Sequence, residues 1–294
     1  MRIIKPQYEI WEQKYGEAGI YQQIERAGRV CYKSEDHANE TSAQPFVERM
    51  IASEHFAMLE HGTVYLTCEH GELPVYPNNR FSRCNTVEGK DFITTNLRVL
   101  AENKCMGDLK FLSEPTEHHE LRVTVHFTTQ IAITREYNRH RANSMAEQST
   151  RYCNYSKNKF GNEISINLPT WVEGSEDFAE SKGFSQDLFK DYCKDVAADG
   201  DGKWNKVDCW LFGNLAAEFA YMKLIGAGCK PQEARVILPL DCNTELVHTA
   251  FVSDWQHFFD LRALGTTGAP HPDAKTLAEP LYKEFLERGY LKKR

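Results

Sequence analysis

Apolar residues along this chain recur at two spacings, every three to four positions or every second one, and the switches between them mark out its elements. Residues 22–28 keep the helical spacing and stop near Gly28, with a short polar segment following to residue 35. Residues 39–53 open on an Asn/Glu/Thr/Ser cluster able to cap a helix and set Phe46, Val47, Met50 and Ile51 on one face. After Gly62 the period drops to two over 63–67, the mark of a strand, and drops again over 121–127. Residues 69–120, between them, are largely polar, with a short helix at about 97–104. A helix is compatible with 131–137, and 160–171 read as a strand ending at a Pro-Thr turn. Residues 173–202 are acidic and helical in part, with 199–202 as a loop too short to hold calcium.

The helical pattern is strongest over 204–227, where Trp210, Leu211, Leu215, Phe219, Met222 and Leu224 form the core face and Gly226 and Gly228 end the run. A short run over 233–239 follows Pro231 and leaves Arg235 isolated among apolar neighbours, where a charge needs a partner or a ligand. The segment 242–262 closes on a helix face of Trp255, Phe258, Phe259 and Leu261, which frees His257 and Arg262 for polar work. Residues 274–289 are a closing amphipathic helix. Strands interspersed with helices predict an α+β fold, a mixed or antiparallel sheet packed with helices.

One block does not fit any core. Residues 135–157 gather Arg135, Arg139, His140, Arg141, Arg151 and Lys157 around only Glu136 and Glu147. Ser144, Gln148, Ser149, Thr150, Tyr152, Asn154 and Tyr155 add hydrogen-bonding groups, and the whole is suited to holding a polar, anionic ligand. Arginine supplies a planar fork for phosphate or carboxylate. If the helix ran on through Arg139, His140 and Arg141, their side chains would diverge by about 100° each and serve neighbouring surfaces. The plain alternative is a solvated helix end, with Glu147 and Arg151 spaced for an ion pair.

Composition narrows the classes. With 41% apolar and 26% charged residues the chain falls among ordinary globular proteins. No run approaches the ~18–20 apolar residues of a membrane span, and no signal-peptide pattern opens the sequence. Nine scattered cysteines without a Cys-x-x-Cys pair read as reduced cytosolic thiols, so the expected location is cytoplasmic. Neither cysteines nor histidines show metal-ligand spacing, and no metal is expected. A net charge of -7 makes nucleic acid an unlikely partner.

Arg139-His140-Arg141, seven residues and then Ser149 resemble the RHR-x7-S signature of the flavin-dependent thymidylate synthases, with Ser144, Glu147, Arg151 and Tyr152 also matching and Ala146 and Glu136 departing. Three further motifs agree in order. They are Arg29, Cys31, Tyr32 and Ser34; Leu59-Glu60-His61 entering a strand; and Ala234-Arg235 leading to Leu238-Pro239 and then to the closing helix with Arg262. The resemblance spans nearly the whole chain, taken as one catalytic domain over 1–294 with an insertion at about 69–120.

The resemblance implies reductive methylation of dUMP to dTMP, with methylenetetrahydrofolate as carbon donor and NADPH as reductant through FAD. It assigns Glu136, Arg139, Glu147, Gln148, Ser149, Thr150, Arg151, Arg235 and Arg262 to dUMP, Arg262 also stabilising charge on the uracil. To FAD it assigns His61, Arg139, His140, Arg141, Glu147 and His257. Thr63 joins them, because two residues beyond His61 it would share a sheet face. It also implies a homotetramer with sites shared between subunits. Cys153 and Ser149 are candidate nucleophiles that a flavin mechanism does not need. Other readings are a flavoenzyme for a different pyrimidine nucleotide, or a non-enzymatic nucleotide- or RNA-binding protein.

Overall fold

A computed structural model describes residues 1–175, 178, 186–198 and 204–292. In chain order its elements are β1 (Arg2–Ile4), β2 (Gln7–Trp11), α1 (Gly16–Val30), α2 (Ala43–Ala52), β3 (Thr63–Glu69), β4 (Arg83–Val87), β5 (Lys90–Asn96), α3 (Leu97–Glu102), β6 (Arg122–Gln130) and α4 (Ile131–Tyr137). There follow β7 (Ser144–Glu147), β8 (Ser165–Asn167), α5 (Thr170–Glu173), α6 (Gln186–Ala197), α7 (Lys206–Gly226), α8 (Pro231–Ala234), β9 (Asn243–Phe251), α9 (Val252–Arg262) and α10 (Pro272–Glu287). The loop expected at 199–202 lies outside the described residues.

The main sheet is antiparallel, in the order β2-β6-β9-β7. Its apolar face packs on α9 and α10 through Phe127, Trp255, Phe258, Phe259 and Phe285, each fully buried. Most of these rings meet edge-on or tilted, as Phe258 does with Trp255 at 5.1 Å between centroids, while Trp255 and Phe259 stack at 5.7 Å. A second sheet, β3-β5-β4, covers a separate core with α1, α2 and α3. Helices and antiparallel sheets therefore make the α+β architecture expected from the pattern.

Several local expectations are corrected. The first helix does not stop at Gly28 but runs to Val30. Gly28 is there for space: a Cβ on it would stand 2.5 Å from Cζ of Phe46. The helix entering the basic block ends at Tyr137, so Arg139, His140 and Arg141 lie in a turn closed by His140 N–H donating to the Tyr137 carbonyl. His61 ends a 3-10 turn, Phe56–His61, rather than sharing a strand face with Thr63. The strand expected over 160–171 shrinks to β8, because Gly161 and Asn162 both take positive φ and break extended backbone. Phe219, expected in the core of α7, is 52% exposed.

The polar stretch 69–120 holds two paired strands, joined by Glu88 and Gly89. Both residues have positive φ, the geometry of the two-residue turns that match strand twist. β9 escaped the pattern because it is buried on both faces and shows no alternation. Among the described residues no helix is long and apolar enough to cross a membrane.

Phe258→Ala is expected to cost about 3–5 kcal/mol of stability. Urea denaturation checks this, and a loss below about 1 kcal/mol would contradict the aromatic cluster as the main core.

Candidate active site

Helix α4 ends between two clefts. Its consecutive residues Arg135 and Glu136 point about 100° apart, and each lines a different one.

The first cleft, about 700 Å³, lies between α4, the turn after β7 and the 235–240 segment. Two backbone bonds fix that turn: Gln148 N–H donates to the Glu245 carbonyl and Ser149 N–H to the Cys31 carbonyl, both at 2.8 Å. Ser149 Oγ then accepts from Arg151 N–H at 3.3 Å and closes a tight turn. Glu147 is held at both oxygens, by Thr134 Oγ1 at 2.7 Å and Asn138 Nδ2 at 3.0 Å. The helix-end pair between Glu147 and Arg151 is therefore not made. Arg235 reaches Thr150 Oγ1 at 3.3 Å and meets no carboxylate among the described residues. Arg135 is exposed at the rim. Two guanidiniums face one carboxylate, an amide and two hydroxyls across an apolar wall of Ile131, Val236, Leu238, Pro239 and Leu240. That set can bind a phosphate together with a sugar and a ring.

The second cleft, about 680 Å³, holds Glu136, Arg139, His140, His257 and Arg262 under the loop 267–271. Arg262 is the best-fixed cation here. Its Nη1 donates to Glu136 Oε2 at 2.6 Å, Nη2 to the Glu136 carbonyl at 2.7 Å and Nε to His140 Nε2 at 3.2 Å. Of the five N–H groups of a guanidinium, three are thus used and two remain for a ligand. His140 must accept at Nε2 and is neutral. Burial, then Arg262, His257 and Arg139, push its pKa down to about 4.

The remaining expected residues fall elsewhere in the single chain. His61 is fully buried, with Nδ1 bonded to Thr249 Oγ1 at 2.9 Å and Nε2 without a partner. Burial and the Arg122 guanidinium lower its pKa to about 3. Thr63 borders a third cleft, beside Trp11 and Tyr65. Arg141 enters a fourth, and Arg151 lies over the ring of Tyr152, its guanidinium carbon 5.3 Å from the centroid. Cys153 is fully buried and burial raises its thiol, which removes it as a nucleophile. Sequence reasoning passed over Arg122, although it sits between Leu121 and Val123 much as Arg235 sits among apolar neighbours.

His61, His140 and His248 are all held uncharged, with burial the first cause for each. Between a folded pKa of about 4 or lower and the ordinary 6.5, the unfolded chain binds protons that the folded chain refuses. Stability therefore rises with pH across that window and is lost on acidification, by roughly 2 kcal/mol per histidine at pH 5. The urea midpoint is expected to fall between pH 7 and pH 5; an unchanged midpoint would contradict the neutral histidines.

Residues 102–288 match the model of a protein family described as thymidylate synthase complementing protein, Thy1. No curated protein matches the chain. Among solved structures, a UMP/dUMP methylase PolB from Streptomyces cacaoi bound with 5-Br dUMP is similar at 15% identity. That likeness covers 98% of this chain and 93% of the other, with a TM-score of 0.42. The same methylase bound with 5-Br UMP is similar at 14% identity over 98% and 92% of the two chains, with a TM-score of 0.43.

Proposed function

Because the chain belongs to the thymidylate synthase complementing protein family, the flavin-dependent thymidylate synthases, we propose that it converts dUMP to dTMP. Methylenetetrahydrofolate supplies the carbon, NADPH the electrons, and FAD carries them. The observation that carries this reading is the first cleft. Its two guanidiniums, with no carboxylate partner among the described residues, stand opposite Glu147, Gln148, Ser149 and Thr150, a donor and acceptor set matched to a nucleoside monophosphate.

In this reading Arg235 and Arg135 hold the phosphate, with Ser149 and Thr150 adding hydroxyl donors. Glu147 is oriented by Thr134 and Asn138 and accepts from the sugar. Arg262 directs its two spare N–H groups at the uracil carbonyls and stabilises negative charge there as C5 becomes nucleophilic. Its ties to Glu136 and His140 keep it aimed without movement, which preserves its value in a water-poor site.

The second cleft fits the polar edge of a flavin ring: exposed Arg139 and the His257 ring offer donors, and neutral His140 offers a surface without added charge. When bound, the flavin supplies hydride and a nitrogen able to accept the one-carbon unit. A homotetramer with shared sites would explain why the expected contacts of each ligand are divided between two clefts on either side of α4. Val236 at 78% and Leu240 at 53% exposure give the rim of the first cleft apolar surface for such a contact.

The purified protein is expected to show a flavin absorption spectrum, bleached by NADPH under anaerobic conditions and faster with dUMP present. A colourless protein that takes up no added FAD would reject the reading. Arg235→Ala is expected to weaken dUMP binding by about ten- to a hundredfold, the worth of a charge-assisted hydrogen bond. Calorimetry reads this, and undiminished affinity would remove Arg235 from the substrate site.

A further inference from the structure

The stretch 69–120 brings two arginines to a place where the chain already has two. Arg80 and Arg83, before and within β4, meet Arg122 of β6 and Arg141 of the turn after α4 around a cleft of about 290 Å³. Its floor is Phe251, with the Arg83 guanidinium carbon 4.4 Å and that of Arg122 5.3 Å from the ring centroid. Guanidiniums stacked on a ring turn their N–H edges to in-plane acceptors, and Arg83 Nη1 already donates to the Ser82 carbonyl at 3.1 Å.

The charges do not balance. Two carboxylates stand beside Arg83, Asp254 at 3.5 Å and Glu120 at 3.6 Å. Arg80, Arg122 and Arg141 have no carboxylate within ion-pair distance among the described residues. Arg122 is the telling member. Its Nη1 donates to the Glu60 carbonyl at 3.0 Å and to Thr63 Oγ1 at 3.4 Å, and its Nη2 to Ser144 Oγ at 3.2 Å. Its Nε is shut from solvent and has no partner. All its hydrogen bonds go to neutral oxygens, and the Glu60 and Asp254 carboxylates act on it only from beyond ion-pair distance, so its burial carries an electrostatic cost that an anion in the cleft would reduce.

We propose that this cleft binds a diphosphate group, with Arg80, Arg83, Arg122 and Arg141 as its ligands. With both Asp254 and Glu120 beside Arg83, four guanidiniums face two carboxylates and two positive charges remain, more than one carboxylate would balance and suited to an anion carrying at least two charges. The forked edges of several arginines around one small cleft match the oxygens of two linked phosphates. The diphosphate belongs either to a dinucleotide cofactor or to a free nucleoside diphosphate. The site stands on these side chains and does not rest on the reaction proposed above.

Titration calorimetry of the full chain with inorganic pyrophosphate tests it. Pyrophosphate is expected to bind, and both Arg83→Gln and Arg80→Gln to weaken it at least tenfold; Arg80 is exposed, so that variant folds as the parent does. Absence of binding by the parent protein, or affinity unchanged in both variants, overturns the proposal. FAD displacing pyrophosphate assigns the diphosphate to the cofactor and gives the 69–120 stretch a part in holding it. ADP displacing it where FAD does not assigns the site to a free nucleotide. Pyrophosphate binding in a protein that takes up no flavin upholds this site while rejecting the thymidylate synthase reading.

Discussion

Strand β9 is enclosed between β6 and β7, and Thr244 to Phe251 are all buried, yet Glu245, His248 and Thr249 are polar. A buried polar group without a partner costs on the order of 1–3 kcal/mol. The chain around β9 meets most of that need, leaving Thr244 Oγ1 and His248 Nδ1 without a partner. Glu245 takes Lys33 and, at 2.9 Å, His126, whose ring stacks on Trp11. Its carboxyl stays below the usual range despite burial, because those two partners outweigh the loss of water. Thr249 joins His61 and Thr124 at 2.9 and 2.8 Å. His248 lies on Trp255 at 4.1 Å and meets Asn143 Nδ2 at 2.6 Å.

Both main clefts inherit their shape from these ties. The Glu245 carbonyl anchors the turn carrying Ser149 and Thr150, while Asn143, bonded to His248, ends the turn carrying Arg139, His140 and Arg141. The loop with Lys33 is drawn in as well, and the Cys31 carbonyl just before it is the second anchor of the Ser149 turn. One buried strand thus sets the backbone on which the cleft-lining side chains stand.

Where side-chain period is simple, the pattern reveals the element: β3, β6, α7 and α10 all lie close to their expected ranges. It is silent where burial is two-sided, as in β9, or where a strand is only three residues long, as in β1 and β8. Gly28 misled because a glycine that makes room for Phe46 and one that ends a helix look alike in sequence. Glu147 to Thr150 and Arg235 were legible in the sequence as candidate contacts of one ligand, and they line one cleft. What could not be read was their separation from Arg262. That division depends on which side of a short helix each residue faces, and so on where the helix stops.

Helix α4 has only seven residues, and adjacent positions on it, Arg135 and Glu136, serve different clefts. The two sites are therefore geared together. Adding or removing one residue in α4 turns every later side chain by about 100°, carrying the cation out of one cleft and the carboxylate out of the other in a single step. The helix is a poor place for sequence drift to adjust either cleft alone. The segments 235–240 and 267–271 border one cleft each, and a change there alters its own site without disturbing the other.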